Sequence, residues 1–306
     1  MKIDVRALPP DDLDAADAVL RDAFATMLGA DVLGGTDPLR TRFRAAHVIV
    51  LGGYVDGEPA GSIAVTGWGG VGTVGPLSVR PDRWGCGVGG ALVAAAVAVL
   101  GERGVTEQSL FTFPGSPRHV DLDRRFGFWP HQLVAVTSRT IEAGSVLTPV
   151  AARLRGFCGR SAGLAGCAAL TAEMHPGLDP TAEIVATLDH GLGDVVLLGE
   201  PARPDAFAIC HVGAGTEAGA GVGYVKFAAA RPGVPGALAR VLRACDALAA
   251  ESGAVRLVAG VATARRTAYR ELLGAGFRTD SLGVAMHRPD GPGHDRPEVL
   301  VLDDRR

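Results

Sequence analysis

Four glycines in six residues, Gly85, Gly87, Gly89 and Gly90, stand between a strand-like stretch ending at Val79 and the apolar run Ala91–Leu100. The intervening residues are Arg80-Pro-Asp-Arg-Trp84, and the turn itself reads Trp84-Gly-Cys-Gly-Val-Gly-Gly90. Glycines let a backbone approach a ligand closely and adopt positive φ. A helix N-terminus offers unsatisfied N–H groups and a partial positive charge. Together they suit a phosphate or pyrophosphate held by backbone amides alone. A phosphate-binding loop of the Walker type needs a lysine after its last glycine, and there is none here. The spacing G-x-G-x-x-G is formally present from Gly85 to Gly90. A dinucleotide fold, however, wants its strand to end at the first glycine and an acid near the end of the next strand. Five residues intervene before Gly85, and Gln108-Ser-Leu-Phe-Thr-Phe113 carries no acid.

The elements around the turn follow from periodicity. Residues 3–8 alternate as a first strand. Asp11 or Asp12 can cap a helix whose apolar positions Leu13, Ala16, Leu20, Phe24 and Met27 share a face. Asp37-Pro38 opens a second helix. Residues 47–55 and 60–66 form a hairpin across Asp56-Gly57. Residues 74–79 form a strand that Pro76 interrupts, which predicts a bulge or a splayed edge. A helix runs from about Gly87 to Arg103, then a buried strand over 109–112. Ser116-Pro117 starts a helix that stops at Gly127, and a last strand covers 133–141. Residues 141–150 are a plausible linker.

Part of this order returns. Val225–Pro232 echoes Val74–Pro81, Gly236-Ala-Leu238 echoes Gly90-Ala-Leu92, and Gly276-Phe277 echoes Gly127-Phe128. The offsets are 151, 146 and 149 residues, which points to an internal duplication. Arg80 to Gly90 is ten residues, whereas Arg231 to Gly236 is five, so the second copy has lost its glycine turn. What remains, Gly233-Val-Pro235, has fewer amides because proline has none.

Leu77-Ser-Val79, Pro81, Trp84-Gly-Cys-Gly87-Val-Gly89 and the later helix ending in Gly127-Phe128 resemble the GCN5-related N-acetyltransferase (GNAT) family. The resemblance implies a mixed α/β sheet in each of two tandem domains, 1–143 and 144–306, the second a degenerate copy. The first would bind acetyl-CoA and transfer its acetyl group to a primary amine by direct attack. The second would complete the acceptor cleft or mimic a dimer partner. By resemblance, backbone groups of Leu77, Ser78 and Val79 take the pantetheine arm. The amides of Trp84, Gly85, Cys86, Gly87, Val88, Gly89 and Gly90 take the pyrophosphate. Ser116 stands where the family has asparagine, and Asp123 where it often has the tyrosine that protonates the departing thiolate. Trp84 replaces an arginine or glutamine, with Arg83 beside it. The missing tyrosine also fits another class, a non-catalytic acyl-CoA-binding or sensor protein.

Amine acylation needs a group to take a proton. His119 is the first candidate, with Asp121, Glu107, His211 and Glu217 behind it, and Asp123 is the candidate acid. An ionised Asp123 cannot donate a proton, a buried protonated one can, and its charged helix predicts a solvated face. Cys86 is read as a small residue presenting its amide. The segment His287–His294 is a poor metal motif, and no metal is expected.

Composition bounds the rest. The chain has 306 residues, 47% of them apolar, and net charge −3, with pI about 6.2. Length suits two domains, and the charge gives no nucleic-acid footprint. Five cysteines without C-x-x-C spacing argue for reduced thiols. No secretory signal is visible and the longest apolar run is half a membrane span, so a cytoplasmic protein without membrane contact is expected.

Overall fold

The computed structural model describes residues 2–29, 33–141, 151–156 and 159–306. Most of the linker lies outside them. The first half runs β1 (Ile3–Ala7), α1 (Leu13–Leu28), α2 (Pro38–Arg44), β2 (Val48–Val55), β3 (Glu58–Trp68), β4 (Val71–Val79), α3 (Val88–Glu102), β5 (Glu107–Thr112), α4 (Pro117–Arg124) and β6 (Trp129–Thr140). The second repeats this order element for element. It runs β7 (Ala151–Arg153), α5 (Arg160–Met174), α6 (Thr181–Asp189), β8 (Gly193–Glu200), β9 (Arg203–Gly213), β10 (Gly219–Ala230), α7 (Ala237–Glu251), β11 (Arg256–Ala262), α8 (Arg266–Gly274) and β12 (Arg278–Arg288). One short strand is left over, β13 (Val301–Leu302).

Local chemistry accounts for the boundaries. The β2–β3 turn places Asp56 at φ 50° and Gly57 at φ 95°, the pair of positive dihedrals a tight hairpin requires. Helix α1 buries Ala16, Leu20 and Ala23 on one face and stops at Gly29, φ 72°. Asp12 precedes α1 without capping it by its side chain. Its carboxylate instead accepts the Tyr54 hydroxyl at 2.5 Å.

The sheet differs from the expectation of one sheet per half. All thirteen strands among the described residues form a single sheet. Its order is β1-β2-β3-β4-β5-β12-β6-β11-β10-β9-β8-β7, with β13 beside β10. The halves have exchanged their last strands. Strand β12 pairs with β5, β6 pairs with β11, and β6 and β12 pair with each other at the centre. The exchange covers two inner edges that separate sheets would leave open. Helix α3 packs Val88, Leu92, Val93, Ala96 and Leu100 against β2–β5, with Phe128 in the same core. A larger core joins α5 and α7 to β8–β11 around Phe207, Phe227 and Leu242.

Candidate active site

The site begins where two strands part. Strands β4 and β5 are parallel and pair only at Val71–Thr73 with Glu107–Ser109. Beyond Thr73 the β4 edge facing β5 has no strand beside it among the described residues, while the other edge stays on β3 as far as Val79. The register slips between Val74 and Leu77, where Gly75 lies at φ 135° and Pro76 has no N–H to place in a ladder. Strand alternation decides which groups face the gap. The Arg80 amide bonds the Ala60 carbonyl on β3 at 2.8 Å, so the Ser78 backbone also points to β3. Leu77 and Val79 point into the V. Of the three residues expected to meet a pantetheine arm, Ser78 therefore turns away, and its hydroxyl meets Ser62 Oγ at 3.1 Å.

A tight 3-10 turn, Pro81–Arg83, carries the chain from the V to α3. It also separates strand from glycines, against the dinucleotide fingerprint. Not every amide of the turn is available. The Trp84 amide bonds the Pro81 carbonyl at 3.2 Å and the Cys86 amide the Arg83 carbonyl at 3.3 Å. Both were expected among the phosphate donors, and both are spent on closing the turn. The amides of Gly85, Gly87, Val88, Gly89 and Gly90 have no protein acceptor among the described residues. Gly85 at φ 83° and Gly87 at φ 90° alternate with their neighbours to fold this run into a nest, the backbone form that suits an anion. Gly87 is the residue before the first turn of α3, so the helix end adds its partial charge.

Trp84 has another task. Its indole Nε1 donates to the Val79 carbonyl at 2.7 Å and the Arg118 guanidinium lies 5.6 Å from the ring centre. It ties the loop to the end of β4 and brings α4 close. Arg83 reaches Asp82 at 3.6 Å. Leu122 of α4 and Phe126, just beyond its end, back onto Gly89 and Gly90, 3.5 and 3.7 Å from where a Cβ would stand.

Helix α4 presents the candidate proton-handling groups. Ser116 precedes it and makes no side-chain cap. His119 and Asp123 are four residues apart and share a helix face. Asp123 is 6% exposed, not on the solvated face that its sequence neighbours suggest. Burial alone pushes its carboxyl up to about 7. Burial and then Arg118 lower the pKa of His119. Helix α4 thus carries a carboxylic acid poised near neutrality and an imidazole kept neutral.

The remaining candidates are engaged elsewhere. Glu107 holds His175 Nε2 at 2.7 Å at the closed end of the V. Asp121 is exposed and 3.7 Å from Arg124. His211 is fully buried against Thr187 Oγ1 at 3.1 Å. Glu217 accepts Lys226 Nζ at 2.9 Å and Arg42 Nη2 at 2.9 Å. It is a buried tie between the halves, and both cations hold it far below the usual carboxylate range against the opposing effect of burial. His287 and His294 pair with Asp295 and Asp303, each at 3.0 Å. Cys86, Cys167, Cys210 and Cys245 are free thiols, and Cys158 lies outside the described residues. Among the described residues, no helix is long and apolar enough to cross a membrane.

Sequence reasoning missed Arg42, which donates from Nη1 to the Gly75 carbonyl at 2.6 Å while its other amino group reaches Glu217 and the Arg306 carbonyl. No local pattern announces an arginine whose three acceptors come from 33, 175 and 264 residues away.

The second half lacks a comparable nest. Between Gly233 and Ala237, Pro235 has no N–H, and the Val234 and Ala237 amides bond Arg231 and Val234 carbonyls. Gly233, Gly236, Leu238 and Ala239 keep free amides there among the described residues, but Pro235 and the spent Val234 and Ala237 amides break them into separate groups.

Comparison with known proteins agrees with this geometry. The family model described as Acetyltransferase (GNAT) family matches residues 20–128. No curated protein matches the chain. A putative acetyltransferase from Pyrococcus horikoshii superposes with a TM-score of 0.68 at 13% identity, over 97% of this chain and 93% of its own. A GCN5-related N-acetyltransferase from Sphaerobacter thermophilus gives 0.60 at 17%, over 94% and 95%. A tandem GNAT protein from the clavulanic acid biosynthesis pathway gives 0.59 at 13%, over 95% and 99%. The chain therefore has the mixed α/β fold of the tandem GNAT proteins, with the family's own model matched in its first half.

Proposed function

We propose that this protein is an acetyl-CoA-dependent N-acetyltransferase whose residues 1–143 hold the coenzyme and whose residues 144–306 complete the acceptor side. The observation that carries the reading is the continuity of the free β4 edge with the five free amides of the glycine turn. A linear molecule with an amide-bearing arm and a pyrophosphate meets free backbone groups there on both the strand edge and the turn. Leu77 and Val79 suit the arm, and Gly85, Gly87, Val88, Gly89 and Gly90 suit the diphosphate.

Bound acetyl-CoA would supply an activated acyl group. The chain's own residues then orient it and manage protons. Asp123 keeps a proton on its carboxyl up to about pH 7 and can donate it to a departing thiolate, the task of the tyrosine that is missing. His119, neutral at pH 7, can accept a proton from an incoming amine. Direct attack needs no nucleophile from the protein, which leaves Cys86 without a chemical role.

Calorimetric titration with coenzyme A tests the reading. One site per chain is expected, and two equal sites would refute the asymmetry between the halves. Release of coenzyme A from acetyl-CoA, followed with a panel of primary amines, separates an enzyme from an acyl-CoA sensor. The sensor reading draws on the absent tyrosine, and turnover that depends on Asp123 rejects it.

A further inference from the structure

We propose that residues 299–302 fill the coenzyme slot of the second half as a built-in strand, in the place where the first half would take a pantetheine arm. The proposal rests on the acyl-CoA reading of the first half's V. The two Vs superimpose in sequence at the offset of 151 residues. Val71–Thr73 pair with β5, and Val222–Val225, of which the first three stand at that offset, pair with β11. Leu77, Ser78 and Val79 then correspond to Ala228, Ala229 and Ala230. Those three are the residues that meet the leftover strand. Ala228 lies opposite Leu302 and Ala229 opposite Val301, and the Ala230 amide donates to the Leu300 carbonyl at 2.9 Å. The polarity of the edge is conserved too. The Arg231 amide bonds Asp205 on β9 at 2.7 Å, as the Arg80 amide bonds Ala60, so Ala228 and Ala230 face the slot as Leu77 and Val79 do.

An extended peptide and a pantetheine arm offer the same thing to a strand edge, a spaced row of amide donors and acceptors. The segment is fixed by packing and charge. Val299, Leu300, Val301 and Leu302 are buried in the larger core. Asp303 reaches Arg265 at 3.1 Å and His294 at 3.0 Å. Arg305 reaches Asp295 at 2.7 Å and His287 Nε2 at 2.6 Å. Strand β11 makes room for it with Gly260, where an added Cβ would stand 2.2 Å from Asp304 Cβ. Loss of the glycine turn and occupation of the slot are thus two independent features that exclude coenzyme from the same place.

Amide hydrogen exchange on the full chain tests this, with coenzyme A as the probe. Without coenzyme, the Ala230 amide should exchange at least about a hundredfold more slowly than the Leu77 amide. Adding coenzyme A should slow Leu77 and leave Ala230 unchanged. A Gly260→Leu variant should speed Ala230 at least about tenfold while β2 amides keep their rates. If that variant also loosens β2, Leu302→Asp is the substitute, read by the same ratio. Ala230 exchanging as fast as Leu77, or becoming protected only when coenzyme is added, overturns the proposal. A slow Ala230 with a Leu77 that ignores coenzyme A supports the filled slot and sinks the acyl-CoA reading of the first half instead.

Discussion

The two Vs of this sheet have corresponding strands and the same edge polarity, and their parallel strands pair over three residues in one and four in the other, yet one is open and one is full. Between β4 and β5 the free edge continues into five unpaired amides. Between β10 and β11 the corresponding edge meets residues 300–302, and the loop beyond it has closed on itself. In the second V the exposed strand edge is met by an extended segment of the chain itself, and an amide-bearing ligand would meet the same kind of edge in the first.

The largest break in this comparison should come from the turn. Gly87 sits at φ 90° with only Ile3 Cδ1 near a would-be Cβ, at 3.6 Å, so a side chain fits but the conformation does not. Gly87→Val should re-aim the nest and lose at least two charge-assisted hydrogen bonds, about 3–6 kcal/mol. Coenzyme A affinity by calorimetry should fall at least about a hundredfold. Gly236→Val, at φ 64° in the second half, should leave the affinity unchanged. Equal losses in both would erase the distinction between the halves.

The next effect concerns what holds the halves in register. Arg42 is 6% exposed and Glu217 7%. Arg42→Met leaves Glu217 with Lys226 as its remaining cation and frees the Gly75 carbonyl at the β4 bulge. Removing one partner of a buried ion pair costs about 3–5 kcal/mol, so the denaturant midpoint should drop with the slope unchanged. An unchanged midpoint would mean that the two halves stand independently at this junction.

Much of this was legible in the residues. The glycine spacing, Pro76 in a strand and the five-residue deletion place the open V in the first half before any coordinates. The exchange of β6 and β12 was not legible, because both are ordinary amphipathic last strands and local pattern says nothing of which neighbour they choose. The filled slot left a trace. Val299-Leu-Val-Leu302 is an apolar run with strand character, hidden behind the Pro- and Gly-rich stretch from Pro289 to Pro297. Burial of Asp123 was invisible, since its neighbours Asp121, Arg124 and Arg125 suggest an exposed helix face. Only the packing of α4 on α3 and β6 separates Asp123 from them.

The residues that α8 buries, Ala268 and Leu272, are both apolar, whereas the burial of Asp123 makes a pH prediction. Between about pH 4 and about pH 7 the folded chain keeps a proton on Asp123 that the unfolded chain has released. Unfolding then releases the proton, so stability falls as pH rises through this window. The displacement amounts to about 4 kcal/mol above pH 7. Asp123→Asn removes the ionisation and should be more stable than the parent by about 2–4 kcal/mol at pH 8 and nearly equal to it at pH 4. Parallel stability profiles for the two proteins would place Asp123 in contact with solvent. Turnover should fall as pH rises through about 7 in the parent and lose that dependence in the variant.

The smallest effect should come from Trp84, whose counterpart in the second half was lost with the turn. Its indole holds the Val79 carbonyl, a group that points into the V, and so fixes the join between the strand edge and the nest. Trp84→Phe keeps the ring beside Arg118 and removes that one hydrogen bond, worth about 1 kcal/mol. Coenzyme A affinity should fall about fivefold. Adenosine 3′,5′-diphosphate, which has neither the pantetheine arm nor the pyrophosphate bridge, should bind the two proteins alike. A larger loss for coenzyme A, equal to that of Gly87→Val, would mean that the turn keeps its nest only while Trp84 holds it. The join would then be as decisive as the glycines.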